Sequence, residues 1–106
     1  MRVLRDECLP RRLKSDLAGH DARTVPEMGW AGKGNGDLLS LAAGQFDVFL
    51  TVDRNLSRQQ TIGHLDIAVV VLVARGNRLA DLRPSMPAVR ESLPAVVAGE
   101  VIRVGG

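Results

Sequence analysis

Ile67 to Val73, reading IAVVVLV, is the stretch that most limits what this chain can fold into. It is β-branched, short and bounded by polar residues. Such a run predicts a central strand buried on both faces rather than a helix. A strand covered on both sides needs parallel neighbours and helices to cover it. A second run, Phe46 to Leu50, turns polar abruptly at Thr51 and meets a carboxylate at Asp53. In open α/β sheets, ligands sit beyond the carboxyl ends of such strands. Asp53 stands where that rule puts a functional group, although it could equally N-cap a helical turn starting at Arg54.

The remaining elements fit the same plan. Arg2 to Arg5 reads as a strand. Leu9 to Leu17 reads as a helix, with apolar positions 9, 13 and 17 spaced by four and Gly19 as a stop. Asp21 to Val25 is a weaker strand, and Pro26 to Gly36 a glycine-bearing loop. Asp37 to Ala43 reads as a helix with Asn35 as N-cap candidate. Arg54 to Ile62 is polar and irregular. Leu79 to Val97 contains an amphipathic helix limited by Pro84, Pro87 and Pro94, and Glu100 to Val104 a last strand. The alternation predicts one α/β domain over residues 1–106. It has a mostly parallel sheet of about five strands, with right-handed crossovers and helices on both faces.

With 106 residues, 45% of them hydrophobic, the chain suits one core. No apolar run approaches the ~20 residues of a membrane span. The N-terminus lacks the continuous apolar segment of a signal peptide. Cys8 is the only cysteine, so no internal disulfide can form. The expectation is a soluble cytoplasmic protein with no membrane partner. The formal charge is +2, so the surface is not broadly basic. Arginines are still grouped, as Arg11 with Arg12, Arg54 with Arg58, and Arg75 with Arg78, and a phosphate-binding face arises if the fold gathers them.

Asp6 follows the first strand, Asp37 opens the helix after the second, and Asp53 follows the third. In a parallel sheet all three come to one edge, with Glu7 as a fourth candidate. Carboxylates held close repel unless protonated or neutralised by a cation. Magnesium and manganese prefer such oxygen ligands, and either ion can activate water for attack on a phosphodiester. Each acid also suits a helix N-terminus for purely structural reasons.

These residues carry a family resemblance. Val3-Leu4-Arg5-Asp6-Glu7-Cys8-Leu9-Pro10 resembles the D-E-N-L-P opening of PIN-like proteins of the kind found in toxin–antitoxin pairs. Asn35 to Ala42 resembles that family's D-x-E-I-L-x-x-A helix. Leu50 to Leu56 resembles its L-T-x-D-x-D-F. The resemblance implies a three-layer α/β/α fold and a Mg²⁺- or Mn²⁺-dependent ribonuclease. Asp6, Asp37 and Asp53 would be catalytic and metal-holding, with Asn35 and Asn55 as neutral ligands or water-positioning groups. The implied partners are RNA, an antitoxin protein and, as an open option, a second copy in a homodimer. Arg54, Arg58, Lys33 and Arg11 are the candidate phosphate contacts. The chain departs from the pattern at Asn35 and Asn55, which stand where the family has Asp. It departs again at Cys8 and at Arg5, which replaces an apolar residue. Fewer negative charges weaken a Mg²⁺ site, so the rival expectation is a catalytically silent module that binds RNA or a protein. A response-regulator-like domain is disfavoured, since its later Thr and Lys are not found.

Other groups offer less. His20 and His64 have no metal-ligand spacing with Cys8, and Cys8 reads as a small buried residue. Gly32 to Gly36 lacks the GK[ST] ending of a phosphate loop. Trp30 reads as a plug at the edge of the core, with base stacking as the alternative.

Overall fold

The computed structural model describes residues 1–53 and 63–105. Strands β1 (Arg2–Arg5), β2 (Asp21–Thr24), β3 (Val48–Thr51), β4 (Ala68–Val73) and β5 (Val101–Gly105) form one sheet in the order β2-β1-β3-β4-β5. Every neighbouring pair is parallel. The regular helices among the described residues are α1 (Asn35–Ala42), α2 (Leu79–Leu82) and α3 (Met86–Ser92). Tighter 3₁₀ segments cover Arg11–Leu17, Pro26–Met28, Arg83–Ser85 and Leu93–Ala95.

The apolar runs form strands because both sheet faces are covered. In register, Val48 pairs with Ala68 and Leu50 with Val70. Together with Val3, Leu72 and Val104, these side chains meet Leu13 and Leu17 on one face. Leu82, Met86, Val89 and Leu93 complete that cluster. The alternate residues Leu4, Phe49, Val69 and Val71 face the other way, onto Leu38, Leu39 and Ala42 of α1. Each fully buried leucine in these layers contributes about 1.5–3 kcal/mol of transfer free energy. The arrangement is the three-layer α/β plan that the alternation predicts.

The differences have local causes. The segment after β1 keeps Leu13 and Leu17 buried but winds as a 3₁₀ helix from Arg11. Gly34, in extended conformation, occupies the N-cap of α1, so Asn35 is the first helical residue rather than the cap. Gly44, at φ +82°, supplies the left-handed turn after that helix. Phe46 is buried but precedes β3, which begins at Val48. The predicted amphipathic helix of 79–97 is split, with Pro84, Pro87 and Pro94 each opening a new segment.

Crossover handedness is the main departure. The connections from β1 to β2 and from β4 to β5 pack on the same sheet face but step across the sheet in opposite directions. They are therefore of opposite hand, and only one of them obeys the right-handed rule.

Candidate functional site at the carboxyl edge of the sheet

The strand order reverses between β1 and β3, which makes their carboxyl ends a topological switch point. Asp6 and Asp53 come to this place. The Asp6 N–H donates to Leu50 C=O at 2.9 Å, extending the ladder by one residue and fixing the carboxylate against β3. Thr51 ends β3 and is fully buried. Its hydroxyl donates to Asp6 Oδ2 at 2.6 Å and accepts the Asp53 N–H at 3.1 Å. Asn35 Nδ2 then donates to Asp53 Oδ2 at 2.9 Å. One hydrogen-bonded chain, Asp6–Thr51–Asp53–Asn35, thus joins β1, β3 and α1. The hydroxyl has a single proton, committed to Asp6, so its orientation is set. The 2.6 Å separation is that of a charge-assisted O–H···O⁻ bond.

Asp6 is 8% exposed, a carboxylate held at the rim of the core. Cys8 lies beside it. Burial and the Asp6 charge push the thiol up to about 11, so it is a neutral neighbour at pH 7 rather than a thiolate. Asn77 Nδ2 donates to Cys8 C=O at 3.2 Å and ties the loop after β4 to the loop after β1.

Arg5 occupies the other face of the same edge and is 2% exposed. Its NH1 donates to Arg11 C=O at 3.0 Å and its NH2 to Ala22 C=O at 3.4 Å. Glu27 Oε1 stands 3.9 Å from NH2. The Arg5 Nε is buried without a hydrogen-bond partner among the described residues. Burial draws the guanidinium below its ordinary pKa, against the opposing pull of Glu27. Arg5 therefore holds the loops after β1 and β2 together beneath a cavity of about 380 Å³. Asp6, Glu7, Arg11, Thr24 and Glu27 line that cavity.

Arg11 is exposed at the cavity near Asp6, and Lys33 is exposed in the loop before α1. Asp37 is exposed in the first turn of α1, two residues from Asn35, and its side chain makes no hydrogen bond or ion pair with a described residue. Asn55, Arg54 and Arg58 lie outside the described residues. Trp30 packs edge-on against Phe46, with centroids 6.2 Å apart and planes at 77°, at the margin of the α1-side core. Thr51 and Arg5 are the site residues that sequence reasoning missed. The abrupt polarity at Thr51 was a signal for the first, and the charge beside Asp6 a signal for the second.

Among the described residues, no group of three or more His, Cys, Asp or Glu could hold a metal ion. A closed protein cage is therefore not built from them. Mg²⁺ keeps several waters and is commonly bound through one or two carboxylates plus substrate phosphates, so the donor chemistry of Asp6 and Asp53 is of the type it takes. Comparison with protein-family models, with curated proteins and with solved structures gave no match.

Proposed function

We propose that the protein is a divalent-cation-dependent ribonuclease in which Asp6 and Asp53 hold Mg²⁺ or Mn²⁺. The observation that carries this reading is the placement of two carboxylates at the switch point, oriented through one buried hydroxyl, Thr51. The cation, when bound, supplies water activation and stabilises charge developing on the scissile phosphodiester. Thr51 fixes the rotamer of Asp6, and Asn35 that of Asp53, so both anions are positioned before substrate arrives. Arg11, exposed next to Asp6, offers a guanidinium to the RNA backbone. The resemblance to PIN-like toxins extends the proposal to a toxin–antitoxin setting, with an inhibitory protein as partner.

A second reading is a silent module that binds RNA without cutting it. It is favoured by one contact, since Asn35 gives Asp53 a neutral amide donor where the resembled family has a second acid. One experiment decides between them. Purified protein is incubated with RNA in Mg²⁺, in Mn²⁺ and with a chelator, and Asp53→Ala is compared with wild type. Cleavage that needs the cation and disappears in a folded, RNA-binding Asp53→Ala supports the nuclease. No cleavage with either ion, and equal RNA binding by both proteins, supports the silent module.

A further inference from the structure

A recess on the described surface lies at the end of β4, with none of its lining residues in the Asp6–Asp53 chain. Its volume is about 470 Å³, within the range of small-molecule sites. Val73, Ala80 and Pro84 give it an apolar lining, and Arg75, Asp81 and Ser85 give it polar groups. Arg75 and Asp81 face one recess yet do not pair. Neither side chain makes a hydrogen bond or ion pair with a described residue, although the Asp81 backbone N–H donates to Arg78 C=O at 2.9 Å. A cation and an acceptor with unpaired side chains in one recess suit a ligand that carries both an anionic group and hydrogen-bond donors.

The recess is close to the proposed scissile position. Thr51 is in register with Val71, and Val73 lies two residues further along β4. Strand spacing and rise put Val73 roughly 8 Å from Thr51, within reach of an adjoining nucleotide. Asn77, from the same loop as Arg75, is bonded to Cys8 C=O beside Asp6.

We propose that this recess is a guanine nucleotide subsite, with Asp81 reading the base and Arg75 holding a phosphate. An ionised carboxylate only accepts hydrogen bonds. Guanine alone among the four RNA bases presents two adjacent N–H donors, at N1 and N2, which one carboxylate can accept together. Adenine and cytosine place a ring acceptor next to their amino group, and uracil flanks its single N–H with two carbonyls. Each of these sets a lone pair against Asp81. Val73, Ala80 and Pro84 offer apolar surface to the base, and the exposed Arg75 guanidinium suits a phosphate oxygen pair. The assignment to RNA rests on the ribonuclease reading, whereas guanine binding does not.

The test is titration of the full-length protein with 5′-GMP, AMP, CMP and UMP, and with RNA tetranucleotides carrying one or no guanosine. The expected result is GMP binding about tenfold tighter than the other mononucleotides, the scale of a charge-assisted pair. Asp81→Asn should erase that preference. Arg75→Ala should weaken all four by about tenfold and lower the salt slope for the tetranucleotides by about one. Amide shifts at Ala80 and Ser85 in the wild-type protein locate the ligand without any variant. Equal affinity for all four nucleotides, or an unchanged ranking in Asp81→Asn, overturns the guanine assignment. GMP binding with no gain from a guanosine tetranucleotide overturns the RNA subsite in favour of a free nucleotide. Cleavage of RNA with no mononucleotide bound sinks the subsite alone. Selective GMP binding without any cleavage sinks the nuclease and leaves the guanine site standing.

Discussion

Thr51 and Asp6 are 45 residues apart in sequence and 2.6 Å apart through one hydrogen bond, with neither side chain more than marginally exposed. Replacing Thr51 with Val keeps the shape and removes the only proton this bond uses. The Asp6 carboxylate then loses a buried donor, at a cost of about 1–3 kcal/mol. Urea denaturation should show that loss for Thr51→Val, while Thr51→Ser retains most of the stability. Equal midpoints for wild type and Thr51→Val would mean that the hydroxyl does not support Asp6.

Asn35→Asp replaces an amide donor with a second anion against Asp53. In the presence of a chelator the variant should melt lower than wild type, since like charges repel. Added Mn²⁺ should recover the loss and raise the variant's melting temperature more than that of wild type, by mass action on a tighter site. Thermal scans at several Mn²⁺ concentrations check this. A variant insensitive to Mn²⁺ would show that Asn35 does not face a cation.

How much of this was legible beforehand differs by residue. The run Ile67 to Val73 could hardly be anything but a buried strand, and β4 lies within it. Asp6 and Asp53 came to one edge because parallel strands leave them no other place. Asn35 was read both as the cap of α1 and as a site residue; the cap falls to Gly34, and the amide turns to Asp53, a contact spanning 18 residues that a local capping rule does not weigh. Thr51 was passed over because its partner depends on the β1–β3 register, which periodicity does not encode. The hand of the β4–β5 connection is likewise invisible to any window of sequence. Arg5 looked like a charge next to a site, and only the tertiary packing buries it.

That burial makes Arg5 a stability liability. Its Nε lacks a partner, and its ion pair with Glu27 is long. Apolar replacement of a buried ion pair is often neutral or stabilising, and here the partner, Glu27, is half exposed, so removing Arg5 leaves no buried unpaired charge. Arg5→Met should therefore melt at or above the wild-type temperature, measured by circular dichroism. A loss beyond about 3 kcal/mol would show that the bonds to Arg11 and Ala22 outweigh the desolvation cost.

Cys8 sets an alkaline limit. The thiol ionises near 9.0 in its ordinary state and is pushed up to about 11 in the fold. Between those values the unfolded chain releases a proton that the folded chain retains. Stability is therefore full below about pH 9 and falls as pH rises through that window. Cys8→Ala should flatten this part of the profile. Alkylation of wild type at pH 8 should be slower than that of free cysteine, and a rate equal to it would contradict the half-buried, protonated thiol.

Parallel strands also separate the two places where the described chain can be extended. Met1 precedes β1 at the amino edge, where Asp21 N–H donates to Met1 C=O. Gly105 ends β5 at the opposite edge. A Cβ there would come within 2.5 Å of Ser85 Oγ, a residue lining the 470 Å³ recess. An affinity tag or fluorophore placed ahead of Met1 leaves the molecule on the side remote from Asp6 and Asp53. Gly105 itself stands against Ser85 at the recess, so binding measurements belong on protein labelled at the amino end.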